Sequence, residues 1–192
     1  LVIEDLDKLS ASQFGFSDAE FNNLKAQNRV LRAWFYLRLL DAFRHVPFAT
    51  SYYDLSKNIQ TQVPPKQIYD FIESELKNAI PLLAKKTTLG GNQNHQGSWT
   101  QAAAAALLVR LYLNAKVYIG EDHYNDCATV AQAILNGTYG TYQIGSRWDE
   151  AFDWNNQTSD EVIFAFPGSE GYSHWHYGGD MYWWSVPSKA NE

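Results

Sequence analysis

The sequence predicts a mainly α fold, built of helix pairs with long loops and minor β, and three observations carry that prediction. Apolar residues recur every three or four positions through four long stretches before residue 136. Helix-start and helix-stop residues bracket those stretches. Beyond Gly137 the pattern changes to short extended segments rich in rings. The chain is therefore expected to be a single domain, with a helical scaffold over 1–136 and a loop- and strand-rich aromatic region over 137–192.

The opening "LVIEDLDKLS" reads as the run-up to a helix and lacks the basic and apolar regions of a secretory signal. Ser17 and Glu20 stand at capping-box spacing, where each side chain satisfies a backbone donor at a helix start. A helix of about 27 residues should follow, ended by Pro47. Phe21 and Leu24 form a narrow stripe. From Val30 onward Leu31, Trp34, Phe35, Leu37, Leu39, Leu40 and Phe43 cover most of the circumference, so the second half is expected to be buried on several sides.

"TSYYDLSKNIQTQVPP" reads as an irregular connection. Pro64 and Pro65 lead into a second helix with Ile68, Ile72, Leu76, Ile80 and Leu83 on one face. A Gly/Asn/Gln loop, "KKTTLGGNQNHQGSW", precedes a third helix, "TQAAAAALLVRLYLNAKVY", whose five consecutive alanines favour helix and admit a neighbouring backbone closely. "YNDCATVAQAIL" forms a fourth, stopping at Asn136 and Gly137. A link of about seven residues makes the third and fourth helices an antiparallel hairpin. Helix pairs with small residues at their crossings suit a tetratricopeptide-like arrangement. Past Gly137, "TYGTYQIG" and "EVIFAFPG" look extended, and between them lie Trp148, Phe152 and Trp154.

Composition narrows the function classes. Of 192 residues, 45% are hydrophobic and 19% charged, as in globular domains. A formal charge of −6 with no basic run leaves out the electrostatic footprint of nucleic-acid binding. No segment reaches the roughly 20 apolar residues of a membrane span. Cys127 is the only cysteine, which excludes an internal disulfide and a cysteine-based zinc site, and its helical neighbours read it as a buried structural thiol.

The candidate ligand residues lie near the end of the sequence. Tyr172, Trp175, Tyr177, Tyr182, Trp183 and Trp184 fall within thirteen residues, beside His174, His176 and Asp180. Sugar C–H faces stack on such rings while hydroxyls meet imidazoles and carboxylates at the rim. The same rings also suit core packing against further parts of the domain. His174 and His176, two apart on a strand, lack a defined third ligand, so neither a metal nor any cofactor is expected. Asp149, Glu150, Asp153, Asp160 and Glu161 read as loop charges and caps, with no catalytic carboxyl pair. His45 is expected to make a structural hydrogen bond beside the Val-Pro turn. Arg29, Arg32, Arg38, Arg44 and Arg110 are expected to organise the core through carboxylate partners.

Taken in order, the blocks "RVLRAWFYLRLLDAFRHVPF", "IYDFIESELKNAIPLL", "AAALLVRLYL", "CATVAQAILNGTY" and "SDEVIFAF" resemble the SusD/RagB family of Bacteroidetes outer-membrane lipoproteins. Arg29, Arg32, Ala33, Val46, Pro47, Tyr69, Ile72, Leu76, Leu108, Arg110 and Tyr112 stand where the family has them. Gln27 departs from its usual Glu, Arg44 from Gly, and Glu75 from Asp. The resemblance covers an interior third of a family member. It implies non-catalytic capture of glycans at the cell outer membrane and their delivery to a SusC-like TonB-dependent transporter. It also implies a surface position held by a lipid anchor that this chain does not include. A tetratricopeptide-type scaffold for protein–protein interaction is the other reading of the same helices.

Overall fold

The structure is a computed structural model and describes residues 2–52, 60–90, 97–153 and 156–166. A short helix α1 (Val2–Leu6) precedes the long α2 (Asp18–Phe43). The capping box forms as the spacing requires: Glu20 Oε2 accepts the Ser17 N–H at 2.8 Å and Ser17 Oγ accepts the Glu20 N–H at 3.3 Å. After α2 the chain makes β1 (Val46–Pro47), which pairs antiparallel with β2 (Gln62–Val63). Then come α3 (Pro65–Ala79), α4 (Gln101–Leu113), α5 (Ala115–Ile119) and α6 (Tyr124–Leu135).

Two helix pairs make the scaffold. Arg29 and Arg32 of α2 meet Glu75 of α3, and Tyr36 packs edge-on against Phe71, so the two helices run in opposite directions. Between them Val30, Leu37, Leu40, Ile68, Ile72 and Leu76 are buried. Each such side chain contributes about 1.5–3 kcal/mol through removal from water. The other pair is α4 and α6, joined where the half-buried Cys127 thiol approaches the Val109 carbonyl at 3.5 Å. The alanines do what the sequence suggests, since Ala102, Ala103, Ala104 and Ala105 are all buried where α4 meets its neighbours. The architecture is the mainly α one predicted. No described helix is long and apolar enough to cross a membrane.

Several local expectations change. Helix α3 stops at Ala79 because Pro81 has no N–H for the next helical bond, and Ile80–Leu82 continue as a 3-10 turn. The third predicted helix divides at Asn114, whose side chain donates to the Arg110 carbonyl at 2.9 Å while its backbone leaves helical angles. The second half of α2 is not buried on several sides: Phe35, Leu39 and Phe43, spaced by four, are 55%, 39% and 68% exposed. Only the opposite stripe packs on α3. The two segments expected to be extended form no ladder: 136–139 close the end of α6 as a turn, and Gln143 N–H bonds the Asp160 carbonyl, just before 161–166, at 3.2 Å.

The five arginines separate into three fates. Arg29 gives Nε and Nη2 to Glu75 Oε1 at 3.2 and 2.7 Å, and Arg32 gives Nη2 to Oε2 at 2.6 Å. Arg44 instead bonds the Leu40 and Asp41 carbonyls at 2.8 and 2.6 Å. Arg38 and Arg110 are exposed and do not organise the core. His45 is exposed too; its contribution is a backbone N–H to the Phe43 carbonyl at 2.7 Å, not a side-chain bond.

Candidate ligand-binding cleft

Helix α4 presents Ala103, Ala106, Leu107 and Arg110 at helical spacing along one wall of a cleft of about 500 Å³. Trp34 of α2, Trp99 just before α4, and the segment Glu161–Phe164 complete it, with Ala151 at one edge. Its volume falls within the roughly 300–1,000 Å³ of small-molecule sites. The small side chains of α4 make the space, and the rings around them keep it apolar.

The rings form a continuous set. Trp99 and Phe164 stack with centroids 4.0 Å apart and planes 13° apart. Phe166 stands edge-on to both Phe164 (5.0 Å) and Trp34 (5.3 Å), and Trp34 meets Phe35 at 4.9 Å. Trp99 is buried while Phe166 is 65% exposed, so the set runs from core to surface. Two charged side chains share the lining. Arg110 is exposed, and Glu161 accepts the Gly145 N–H on Oε2 at 3.1 Å.

The 161–166 segment is held from the other side. Asp160 Oδ1 takes the buried Lys86 ammonium at 2.6 Å and Oδ2 takes the Gly90 N–H at 2.8 Å. Lys86 also accepts the Thr141 N–H on its carbonyl at 2.8 Å. At Gly140, with φ +146°, an added Cβ would meet Tyr142 at 3.0 Å and the Lys86 carbonyl at 3.2 Å, so only glycine fits this crossing.

The predicted ligand residues Tyr172, His174, Trp175, His176, Tyr177, Asp180, Tyr182, Trp183 and Trp184 lie outside the described residues, as does Trp154. Trp148 and Phe152, from the same aromatic region, are 89% and 83% exposed. The acidic residues act as loop caps and pairs. Arg147 clasps Asp149 at 2.9 and 2.7 Å and holds its carboxyl below the usual range, while Glu150 Oε2 accepts the Ser146 N–H at 3.0 Å. Among the described residues no group of three His, Cys, Asp or Glu is placed to hold a metal.

None of the cleft residues was read from sequence as a ligand contact: Arg110 was read as a core organiser and Glu161 as a loop charge. Trp34, Arg110 and Phe164 read as helix or strand positions, and only folding brings them together across 130 residues. A weak signal existed in "VIFAF", where alternate positions carry Phe164 and Phe166.

A SusD-like family described as "Starch-binding associating with outer membrane" matches residues 2–113. The starch-binding protein SusD of Bacteroides thetaiotaomicron is 28% identical over 173 residues, which is 88% of this chain and 29% of that protein. A SusD superfamily protein from Bacteroides fragilis shares the fold with a TM-score of 0.71 at 21% identity, covering 89% of this chain and 34% of its own. A laminarin-binding SusD-like protein does so with a TM-score of 0.64 at 23% identity, covering 80% and 32%. This chain spans about a third of the length of these relatives. With more than half of the sequence matching the family and the helix pairs superposing on its solved members, the chain belongs to the SusD-like family.

Proposed function

We propose that this chain is part of a non-catalytic receptor that captures oligosaccharides at the bacterial cell surface and passes them to a SusC-like TonB-dependent transporter. The observation that supports it most is the ring-lined cleft with one guanidinium and one carboxylate, in a family of outer-membrane-associated starch binders. The names of relatives agree: one binds starch, one binds laminarin, and one solved neighbour contains a xylogluco-oligosaccharide. Surface attachment through a lipid anchor belongs to this reading.

Within it, 1–136 is the helical scaffold and 137–192 the ligand-facing region. The sequence after Phe166 carries the principal platform: Tyr172, Trp175, Tyr177, Tyr182, Trp183 and Trp184 stack on sugar faces, with His174, His176 and Asp180 bonding hydroxyls. A ring covering about 40 Å² of sugar on both partners contributes about 2 kcal/mol before ordering costs. Catalysis has no support in the described acidic residues, since Glu150 and Glu161 both accept backbone N–H groups of one turn.

Isothermal titration calorimetry with neutral and acidic oligosaccharides tests the proposal. Trp183→Ala and Trp184→Ala should each weaken binding about fivefold or more while the far-ultraviolet spectrum stays helical. Incubation with the bound glycan should release no reducing sugar. Binding unchanged by both substitutions would return the cluster to a packing role.

The exposed row Phe35, Leu39 and Phe43 favours a second reading, a tetratricopeptide-type scaffold that docks a protein. In that case pull-down would recover a protein partner, and no oligosaccharide would give a binding isotherm.

A further inference from the structure

We infer that the cleft between α2 and α4 is a subsite for a neutral pyranoside, and that Arg110 and Glu161 read its hydroxyls as a donor and acceptor pair; this rests on the oligosaccharide-capture reading above. A guanidinium only donates and a carboxylate only accepts, whereas every sugar hydroxyl does both. A cleft with one of each on its lining therefore offers both a donor and an acceptor to sugar hydroxyls. Arg110 is exposed at the cleft and makes no ion pair among the described residues. Glu161 is fixed by the Gly145 N–H on Oε2, and the Lys86–Asp160 pair anchors the preceding residue.

The apolar lining supplies the rest. Ala103, Ala106 and Leu107 leave room, and Trp34 and Phe164 offer ring surface to the C–H face of a sugar. A uronate entering the same space would bring its carboxylate near Glu161 as well as Arg110. The net charge of −6 further disfavours an acidic polymer. Neutral sugars avoid both costs, which makes Glu161 the residue that discriminates by charge.

The test is calorimetry on this chain with maltoheptaose, laminarihexaose, a xyloglucan oligosaccharide and trigalacturonate, using wild type and the variants Arg110→Met, Glu161→Gln, Ala106→Phe and Trp183→Ala. At least one neutral ligand should bind, with trigalacturonate roughly tenfold weaker or undetectable. Arg110→Met and Glu161→Gln should each weaken the neutral ligand about fivefold. Glu161→Gln should at the same time narrow the gap to trigalacturonate, a change that loss of structure would not produce. Ala106→Phe, which fills the cleft, should lower the affinity further, with circular dichroism confirming the helices; the exposed Arg110 position serves if that variant does not fold.

Neutral-ligand binding unaltered by all three cleft variants but lost in Trp183→Ala would overturn the cleft and leave oligosaccharide capture standing. A wild type that binds no member of the panel would overturn the broader reading and the cleft with it. Tighter binding of trigalacturonate than of every neutral ligand would overturn the donor and acceptor assignment. A crystal structure of the protein with one of its own segments seated between Trp34 and Arg110 would overturn it too.

Discussion

Lys86 and Asp160 stand 2.6 Å apart, an ion pair across 74 residues in which the lysine side chain is only 4% exposed. The ammonium also lies 5.2 Å from the centroid of the Tyr142 ring. One lysine thus ties the loop after α3 to 140–142 and to the start of the cleft-lining segment. Glu161 takes its place on the cleft because its predecessor is fixed in this way.

Lys86→Ala should therefore destabilise the chain by about 2–3 kcal/mol, the lower end for breaking a buried pair, since Asp160 keeps a backbone donor and some water. For a domain of this size that corresponds to a Tm about 5–10 °C lower. Lys86→Met should cost less than Lys86→Ala because it keeps most of the packed stem. Thermal melts followed at 222 nm decide it; wild-type melting of Lys86→Ala would show that the pair does not hold the loops.

Glu75 answers two arginines one turn apart on α2, one on each oxygen, and is itself nearly buried. Its hydrogen bond to Arg29 raises the pKa of that guanidinium further. Glu75→Ala should cost about 3 kcal/mol, moderated because Arg29 and Arg32 are partly open to water. Removing Arg29 in that background should then cost little. A double-mutant cycle with a coupling energy below about 0.5 kcal/mol would show that the pair is not an energetic unit.

Arg44 occupies the centre of a γ-turn, at φ 61° and ψ −70°, closed by the His45 N–H on the Phe43 carbonyl. That conformation is strained for any residue with a Cβ. Its guanidinium offsets the strain by bonding the last carbonyls of α2 and lying 4.8 Å from the Tyr118 centroid. Arg44→Ala keeps the strain and loses the bonds, whereas Arg44→Gly relieves the strain. The glycine variant should be more stable than the alanine variant by about 1 kcal/mol. Equal stability would mean that the turn relaxes when the guanidinium is removed.

The helical part of this fold was legible because it is written in local patterns. Ser17 with Glu20, Pro64 with Pro65 and the apolar spacing of Ile68, Ile72 and Leu76 each act within a turn or two of their own helix. What was not legible depends on distant partners. Nothing in "KKTTLGG" marks Lys86 as buried, since its partner is 74 residues away. Phe35, Leu39 and Phe43 share the helical spacing of buried residues, and spacing does not reveal whether a second surface exists to cover them. The cleft was hidden for the same reason: Trp34, Arg110 and Phe164 converge only through the packing of α2, α4 and a loop. Arg44 was read as a core organiser with a carboxylate partner, and its positive φ and its bonds to the last carbonyls of α2 arise only where the helix end meets the following turn.

The His123 ring joins three helices, through a carboxylate on α6 and ring contacts to α4 and α3. Nδ1 is 2.8 Å from Asp126 Oδ2 and Nε2 is 3.6 Å from Glu121 Oε2, while the ring stacks on Tyr112 at 5.8 Å and leans on Tyr69 at 5.6 Å. Tyr112 in turn donates to Glu73 at 2.7 Å, which also receives Lys77. The Asp126 bond is the main cause that raises the His123 pKa, helped by Glu121 and Glu73 and opposed by partial burial. A folded-state pKa above the ordinary value of about 6.5 means that folding is favoured by protonation. The stabilisation is complete below about pH 6.5 and is lost as pH rises through the raised folded value. His123→Asn keeps a side chain suited to the start of α6 but cannot titrate. The Tm advantage of wild type over His123→Asn should thus be greatest near pH 6 and shrink by about pH 8.5, with the His123 ring resonance titrating above 6.5 by NMR. An advantage that grows with pH over that range would show that the neutral imidazole, held by its ring contacts, is the stabilising form.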